Sequence, residues 1–396
     1  MPTDSIAEIT NPLRSLDPAS DDADLEVLRE VVGRARVVFL GESAHFTAEF
    51  NRIRDRVLRF LVRRMGFSAL VLESGFPEGI AVDRWVRGGP GELADVAREG
   101  ITYEFGRCVE MHEQLSWMRR WNVEHEQQVG FHGMDVPGWC ASPGPGVAAC
   151  LDRLPAEPGD RELLLAAHLA PSGKSAPAPD ASGAPSVPAG LAESIDGLIG
   201  RATAVGDVVA AQCARGAARV VEFLERGLYP GADRNLRNEV MAENLERILE
   251  HEQRVLVAGH NVHLQRALSF DGTTTVGGLL APALGEDLVV IGGTHASGRV
   301  PDLAPEAPPE GRYFAAGEQP PPPEGHTLEA ALDAAGHRAH LVDLRRLPEE
   351  TLAGTTALRA QTPHHTVLLD TAPREAFDAV CHVHAVHPAR GAADLP

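Results

Sequence analysis

Lysine is almost missing from this chain. Lys174 is the only one, and every other fixed cation is an arginine. Schiff-base chemistry would therefore have to run through Lys174, which sits in a Pro/Ser/Ala-rich stretch. Aromatic residues make up only 5% of the 396 residues, too few for base-stacking platforms. Positive charge is also short: the formal net charge is −20, and a surface that acidic repels nucleic-acid phosphates and anionic membranes. The five cysteines, Cys108, Cys140, Cys150, Cys213 and Cys381, form no C-x-x-C pair. Neither a disulfide scaffold nor a cysteine-rich zinc site is expected. No apolar run approaches the ~18 residues of a membrane span, and residues 1–26 lack the apolar core of a signal peptide. A soluble cytoplasmic protein is expected, with a small molecule as its partner and neither nucleic acid nor membrane.

What is present is an alternation of strands and helices. Val37-Val38-Phe39-Leu40 and Ala69-Leu70-Val71-Leu72 are short apolar runs of buried-strand form. Between them Phe50, Ile53, Val57, Leu58, Leu61 and Val62 keep a helical period, and Gly66 fits a C-cap. This strand–helix–strand unit predicts two parallel, adjacent strands. Further strands are read at residues 129–133, 254–259, 288–293, 340–343 and 379–383. Helices are read at residues 111–126, 191–227, 235–251 and 328–336. Strands alternating with helices give an α/β fold, a central and mostly parallel sheet flanked by helices. Residues 1–150 and 252–396 are expected to form the catalytic core. Residues 151–251 are expected to form a helical insertion or lid, with a mobile Pro/Ala-rich loop near 155–190.

In parallel α/β sheets, ligands bind at the carboxyl ends of the strands. The polar residues there are Glu42, Ser43 and His45; Glu73 and Ser74; His132 and Asp135; His260, Asn261 and His263; and Thr294 and His295. Imidazoles and carboxylates thus recur at one edge of the sheet. General acid–base hydrolysis needs that set: an imidazole takes a proton from water, and a carboxylate fixes its tautomer. Ser43 invites a serine-nucleophile reading, but G-x-S-x-G fails because His45 replaces the last glycine. Glu49 and Asp55 read equally well as helix-surface charges. His260 and His263 have weak metal-ligand spacing, and His382, His384 and His387 read as packed or solvated histidines. His364 and His365 read as surface loop.

The segment Gly41-Glu42-Ser43-Ala44-His45-Phe46-Thr47-Ala48-Glu49-Phe50 resembles the opening signature of the erythromycin esterase superfamily, which includes succinoglycan biosynthesis-related proteins. The resemblance continues at Arg54, Gly66-Phe67, Glu73, Gly133-Met134-Asp135, residues 237–244, Gly259-His260-Asn261-Val262-His263, Leu341-Val342-Asp343 and Phe377-Asp378-Ala379-Val380. It covers about the whole chain in order. It implies hydrolysis of an ester or lactone without a covalent enzyme intermediate. His45 would be the general base, Glu42 and Glu73 would orient it and its water, and Arg54 and His260 would line the cleft. The residues assigned to catalysis are His45, Glu42, Glu73 and His260. Those assigned to substrate are Arg54, Phe46, Ser43, Ser74, Asp135, His263 and His295. No cofactor is implied, with a metal left open.

The chain departs from the family pattern beside the base. Members usually carry glycine after the histidine and often threonine before it; here the neighbours are Ala44 and Phe46. A biosynthetic tailoring enzyme of the same superfamily is the alternative, performing elimination, transesterification or cyclisation. From another class, a haem- or metal-binding protein is the further alternative, because 17 histidines would allow ligation.

Overall fold

The computed structural model describes residues 9–140, 142–170, 187–226, 234–269, 272–303, 314–316, 320–361 and 366–391. Eight strands are labelled here: β1 (Asn11–Pro12), β2 (Val37–Glu42), β3 (Ala69–Gly75), β4 (Gly130–Asp135), β5 (Val255–His260), β6 (Leu288–Gly298), β7 (Ala339–Asp343) and β8 (Ala379–Val386). Helices separate most of them, so the chain is α/β, as its alternating pattern implies. It divides into two compact units. The first holds Met1–Val71, Arg107–Gly130 and His251–Pro396; the second holds Leu72–Gly106 and Phe131–Glu250.

In the first unit six strands run side by side in the order β1-β7-β8-β6-β2-β5. β8, β6, β2 and β5 are parallel, while β7 and β1 close one edge antiparallel. Val37, Val38, Phe39 and Leu40 are all buried, the state expected of a central parallel strand covered on both faces. The helix Ala48–Met65 ends at Gly66, whose φ of 70° gives the left-handed C-cap. Adjacency of β2 and β3 does not hold: β5 and β6 occupy both edges of β2. A crossover helix fixes the hand of a connection, not how many strand positions it skips.

β3 and β4 are neighbours, and in the second unit a helical core packs Val147, Cys150, Ala167, Ile195, Leu198, Ala214, Ala217 and Phe223 together. Part of the stretch read as loop is helix: Asp160–Leu169 holds the run Leu163-Leu164-Leu165-Ala166-Ala167, strong helix formers that outweigh the Pro/Gly composition around them. Residues 171–186, with Lys174, lie outside the described residues, as do His364 and His365. The helix read over 191–227 is two, Leu191–Val205 and Val208–Glu225. Gly206 turns left-handed at φ 78°, and the Asp207 side chain accepts the Ala210 N–H at 2.9 Å to start the second. Cys108, Cys150, Cys213 and Cys381 are free and buried. Among the described residues no helix is long and apolar enough to cross a membrane.

Candidate active site

In the first unit β2 delivers Glu42, and the chain then turns through residues 43–47 into the helix Ala48–Met65. The turn brings His45 back onto the strand end, with Nδ1 2.6 Å from Glu42 Oε1. A carboxylate only accepts, so the imidazole donates its Nδ1–H and keeps the lone pair on Nε2. The His45 side chain is 29% exposed, enough to meet water or a small molecule. β5 delivers His260, the register partner of Glu42. Its ring stands edge-on to that of His45, 4.9 Å between centroids. His260 Nδ1 accepts the Val262 N–H at 3.2 Å and so caps the short helix Asn261–Leu264. That bond places its proton on Nε2. Two adjacent imidazoles are thereby held in opposite tautomers, one with a basic Nε2 and one with an Nε2–H to donate.

Asn261 locks the same corner. Its side-chain amide donates to the Gly293 carbonyl at 2.7 Å and accepts the Gly293 N–H at 3.2 Å. Gly41 is needed for this fit, because a Cβ there would stand 2.1 Å from Asn261 Oδ1. Arg54 is buried on the helix and is held by the Gln114 and Asn51 side-chain oxygens at 3.0 and 2.6 Å. Burial lowers its guanidinium below the usual value, and the negative charge of Glu42 pulls it back up. Phe46 is buried, its ring edge-on to His45 at 6.1 Å. Its φ is 58°, a left-handed backbone that costs a non-glycine residue about 1–2 kcal/mol. A glycine there would carry no such strain.

Two residues assigned to substrate, Ser43 and His295, face each other. Ser43 Oγ lies 2.8 Å from His295 Nδ1, and both residues are buried. Burial, with Arg359 and His382 adding to it, holds the His295 imidazole down at about 3. His263 is buried in the short helix after His260. Two of the three C-terminal histidines share Asp333, with His382 Nε2 3.6 Å from the oxygen that His384 meets. His382 meets Thr294 Oγ1 at 3.0 Å, His384 meets Asp333 at 2.7 Å, and His387 meets Glu49 at 2.8 Å. Among the described residues no group of three or more His, Cys, Asp or Glu side chains is placed to hold a metal ion.

In the second unit the other two assigned carboxylates share one arginine. Arg237 reaches Glu73 Oε1 at 2.9 Å and grips Asp135 through Nε at 3.1 Å and through a terminal nitrogen at 2.5 Å. Tyr103 donates to Asp135 at 3.2 Å and lies under the guanidinium, 5.2 Å from its ring centroid. Arg237 and Tyr103 were not singled out from sequence. Arg237 does stand first in the family-like stretch 237–244, but nothing in a helical period marks one arginine as the partner of two buried acids. Ser74 is fully buried and accepts the Thr102 N–H at 2.9 Å, holding the 101–104 turn.

A family model described as "Erythromycin esterase" matches residues 62–386. The chain is 24% identical to an erythromycin esterase type II of Escherichia coli, over 94% of each protein. It is 31% identical to an erythromycin esterase type I of the same organism over 30% of this chain and 28% of that one. Among solved structures it superposes on a succinoglycan biosynthesis protein with a TM-score of 0.75 at 18% identity, covering 98% of this chain and 97% of that one. It superposes on a variant of the erythromycin esterase EreC in its open conformation with a TM-score of 0.73 at 21% identity, covering 96% and 98%.

Proposed function

The chain belongs to the erythromycin esterase family, and from that premise we propose that it hydrolyses an ester or lactone of a natural product by general-base activation of water at His45. The observation that carries this reading is the Glu42–His45 contact of 2.6 Å. Both residues lie ahead of the span matched by the family model, so their role rests on geometry and on the opening-signature resemblance.

In the proposed reaction Nε2 of His45 takes a proton from water as the water oxygen attacks the acyl carbon. Glu42 balances the charge of the imidazolium. The Nε2–H of His260 is the donor offered to the oxyanion. Collapse breaks the bond between acyl carbon and alkoxyl oxygen, and the imidazolium returns its proton to the leaving alcohol. Arg54 keeps positive charge near Glu42. Glu73 is assigned to the same reaction by resemblance alone, as the second carboxylate. The chemistry is proposed to need no dedicated metal. EDTA should leave turnover unchanged, and a loss restored by Zn²⁺ would move the reading to metal-assisted hydrolysis.

The test is incubation with a panel of macrolide lactones and simple aryl esters, read by product mass. Hydrolysis adds one water, and His45→Ala should abolish it while circular dichroism shows a folded chain. Retained turnover in that variant would sink the general-base assignment. The strained Phe46 beside the base favours one second reading, a tailoring reaction on a biosynthetic intermediate. Elimination would remove a water and cyclisation by isomerisation would leave the mass unchanged.

A further inference from the structure

Glu49 stands four residues after His45 and takes no part in the acid–base scheme, yet it is buried. Its carboxylate accepts two bonds from one residue near the other end of the chain, the His387 backbone N–H at 2.7 Å and the His387 ring Nδ1–H at 2.8 Å. The neighbouring backbone is tied to the same segment. Ala48 N–H donates to the His387 carbonyl at 2.8 Å, and Ala389 N–H donates to the Phe46 carbonyl at 2.7 Å. Thr47 and Pro388 form an antiparallel bridge. The helix Ala48–Met65 has no side-chain cap from Thr47; its first orphan N–H is satisfied by the strap instead. Residues 386–390 then continue to the helix Val109–Glu124, where Arg390 meets Glu110 at 3.1 Å and Glu113 at 2.5 Å. All these groups belong to the first unit.

The strap therefore grips the turn at residues 46–48, where Phe46 is left-handed, immediately after His45. A left-handed phenylalanine persists only where its surroundings over-determine it. We propose that Glu49 is a positioning residue: through His387 it fastens the C-terminal strap across the turn and so holds the His45 ring on Glu42. The inference rests on the hydrolase reading for its catalytic meaning, but not for its structural meaning. Removing the carboxylate should release the strap, let the turn relax, and break the Glu42–His45 bond without touching either residue.

The test uses the full chain with ¹⁵N-labelled histidine, comparing wild type, Glu49→Ala and Glu49→Gln. The His45 Nδ1–H resonance, assigned by its absence in His45→Gln, reports the bond to Glu42. In Glu49→Ala that resonance should disappear, and kcat for p-nitrophenyl acetate should fall roughly 10- to 100-fold, as a misplaced base implies, with KM changed less than about twofold. Glu49→Gln keeps an acceptor for the His387 N–H and should restore both readouts in large part. An intact His45 resonance in folded Glu49→Ala overturns the proposal and leaves the hydrolase reading standing. Absence of turnover in wild type removes that reading, while the resonance still decides the strap. If Glu49→Ala does not fold, His387→Ala is read in its place, since the His387 side chain is 67% exposed. It should broaden or weaken the same resonance, and no change there overturns the proposal.

Discussion

Glu42 and His260 are register partners on neighbouring parallel strands, so one strand pair presents a carboxylate and an imidazole at the same level of the sheet. His45, three residues past Glu42, closes the set by turning back onto it. The carboxylate's control of the His45 tautomer gives the first prediction. In Glu42→Gln the amide can present its NH₂ to Nδ1, which moves the ring proton to Nε2 and removes the lone pair proposed to act as the base. A kcat loss of about 10²- to 10⁴-fold is expected, with KM little changed. Steady-state kinetics on an ester turned over by the wild type checks it, and a loss confined to KM would contradict it.

Gly41→Ala should be destabilising by roughly 1–3 kcal/mol, the usual cost of overpacking, because the new Cβ meets Asn261 Oδ1. Adding Asn261→Ala should recover part of that loss, a coupling visible only if the two sites touch. Urea unfolding of the two single variants and the double variant provides the cycle. Strict additivity would show that the clash is not the cause.

Arg237→Ala should weaken the fold by about 3–5 kcal/mol, the cost of leaving buried charge without its partner, since Glu73 and Asp135 are both buried and both bound to it. Arg237→Lys should recover little, because a single ammonium cannot reproduce the two-sided grip. Urea midpoints decide, and a fully stable Arg237→Ala would refute the shared-arginine account.

Stability should respond to pH through two kinds of buried group, with opposite signs. Burial pushes the Glu329 carboxyl up to about 7, against an ordinary 4.5. Its contribution is therefore complete below pH 4.5 and is lost as pH rises through 7. Burial holds His340 down at about 3, with His382 and His337 adding to it, against an ordinary 6.5. Its contribution is complete above pH 6.5 and is lost as pH falls toward 3. Glu329→Gln should thus stabilise the chain at pH 8 by on the order of 1–3 kcal/mol and change little at pH 4. His340→Gln should gain at pH 4 relative to its effect at pH 8. Denaturation at the two pH values tests both, and equal effects at both would exclude this linkage.

Much of this architecture can be read from the chain because the same residues serve two purposes. The apolar runs that make strands end in the polar residues that sit at their carboxyl edges, so Glu42 and His260 were found by finding β2 and β5. Strand order was not readable, since an apolar run does not say which other run it pairs with; β5 and β6, not β3, flank β2. Pairings distant in sequence were hidden for a related reason. Ser43 and His295 both look like strand-end polar groups open to a ligand, and only the packing shows that they satisfy one another. Glu49 looks like a helix-surface acid, because the segment that covers it arrives more than 330 residues later. The helix Asp160–Leu169 was obscured by a composition average that let flanking proline and glycine outvote a leucine–alanine run.

The left-handed backbone at Phe46 bears on how this chain can change over generations. Which residues are admissible at that position is filtered first by φ and only then by what the ring does. Glycine, asparagine and aspartate pass the first filter cheaply, whereas valine, isoleucine and threonine are turned away whatever their fit. Every single-nucleotide missense change from phenylalanine, to leucine, isoleucine, valine, serine, tyrosine or cysteine, keeps the backbone strain while altering the wall beside His45. Position 46 is thus hard to drift away from, and a lineage that reaches glycine there, two nucleotide changes away, sheds strain and ring together and reshapes the neighbourhood of His45.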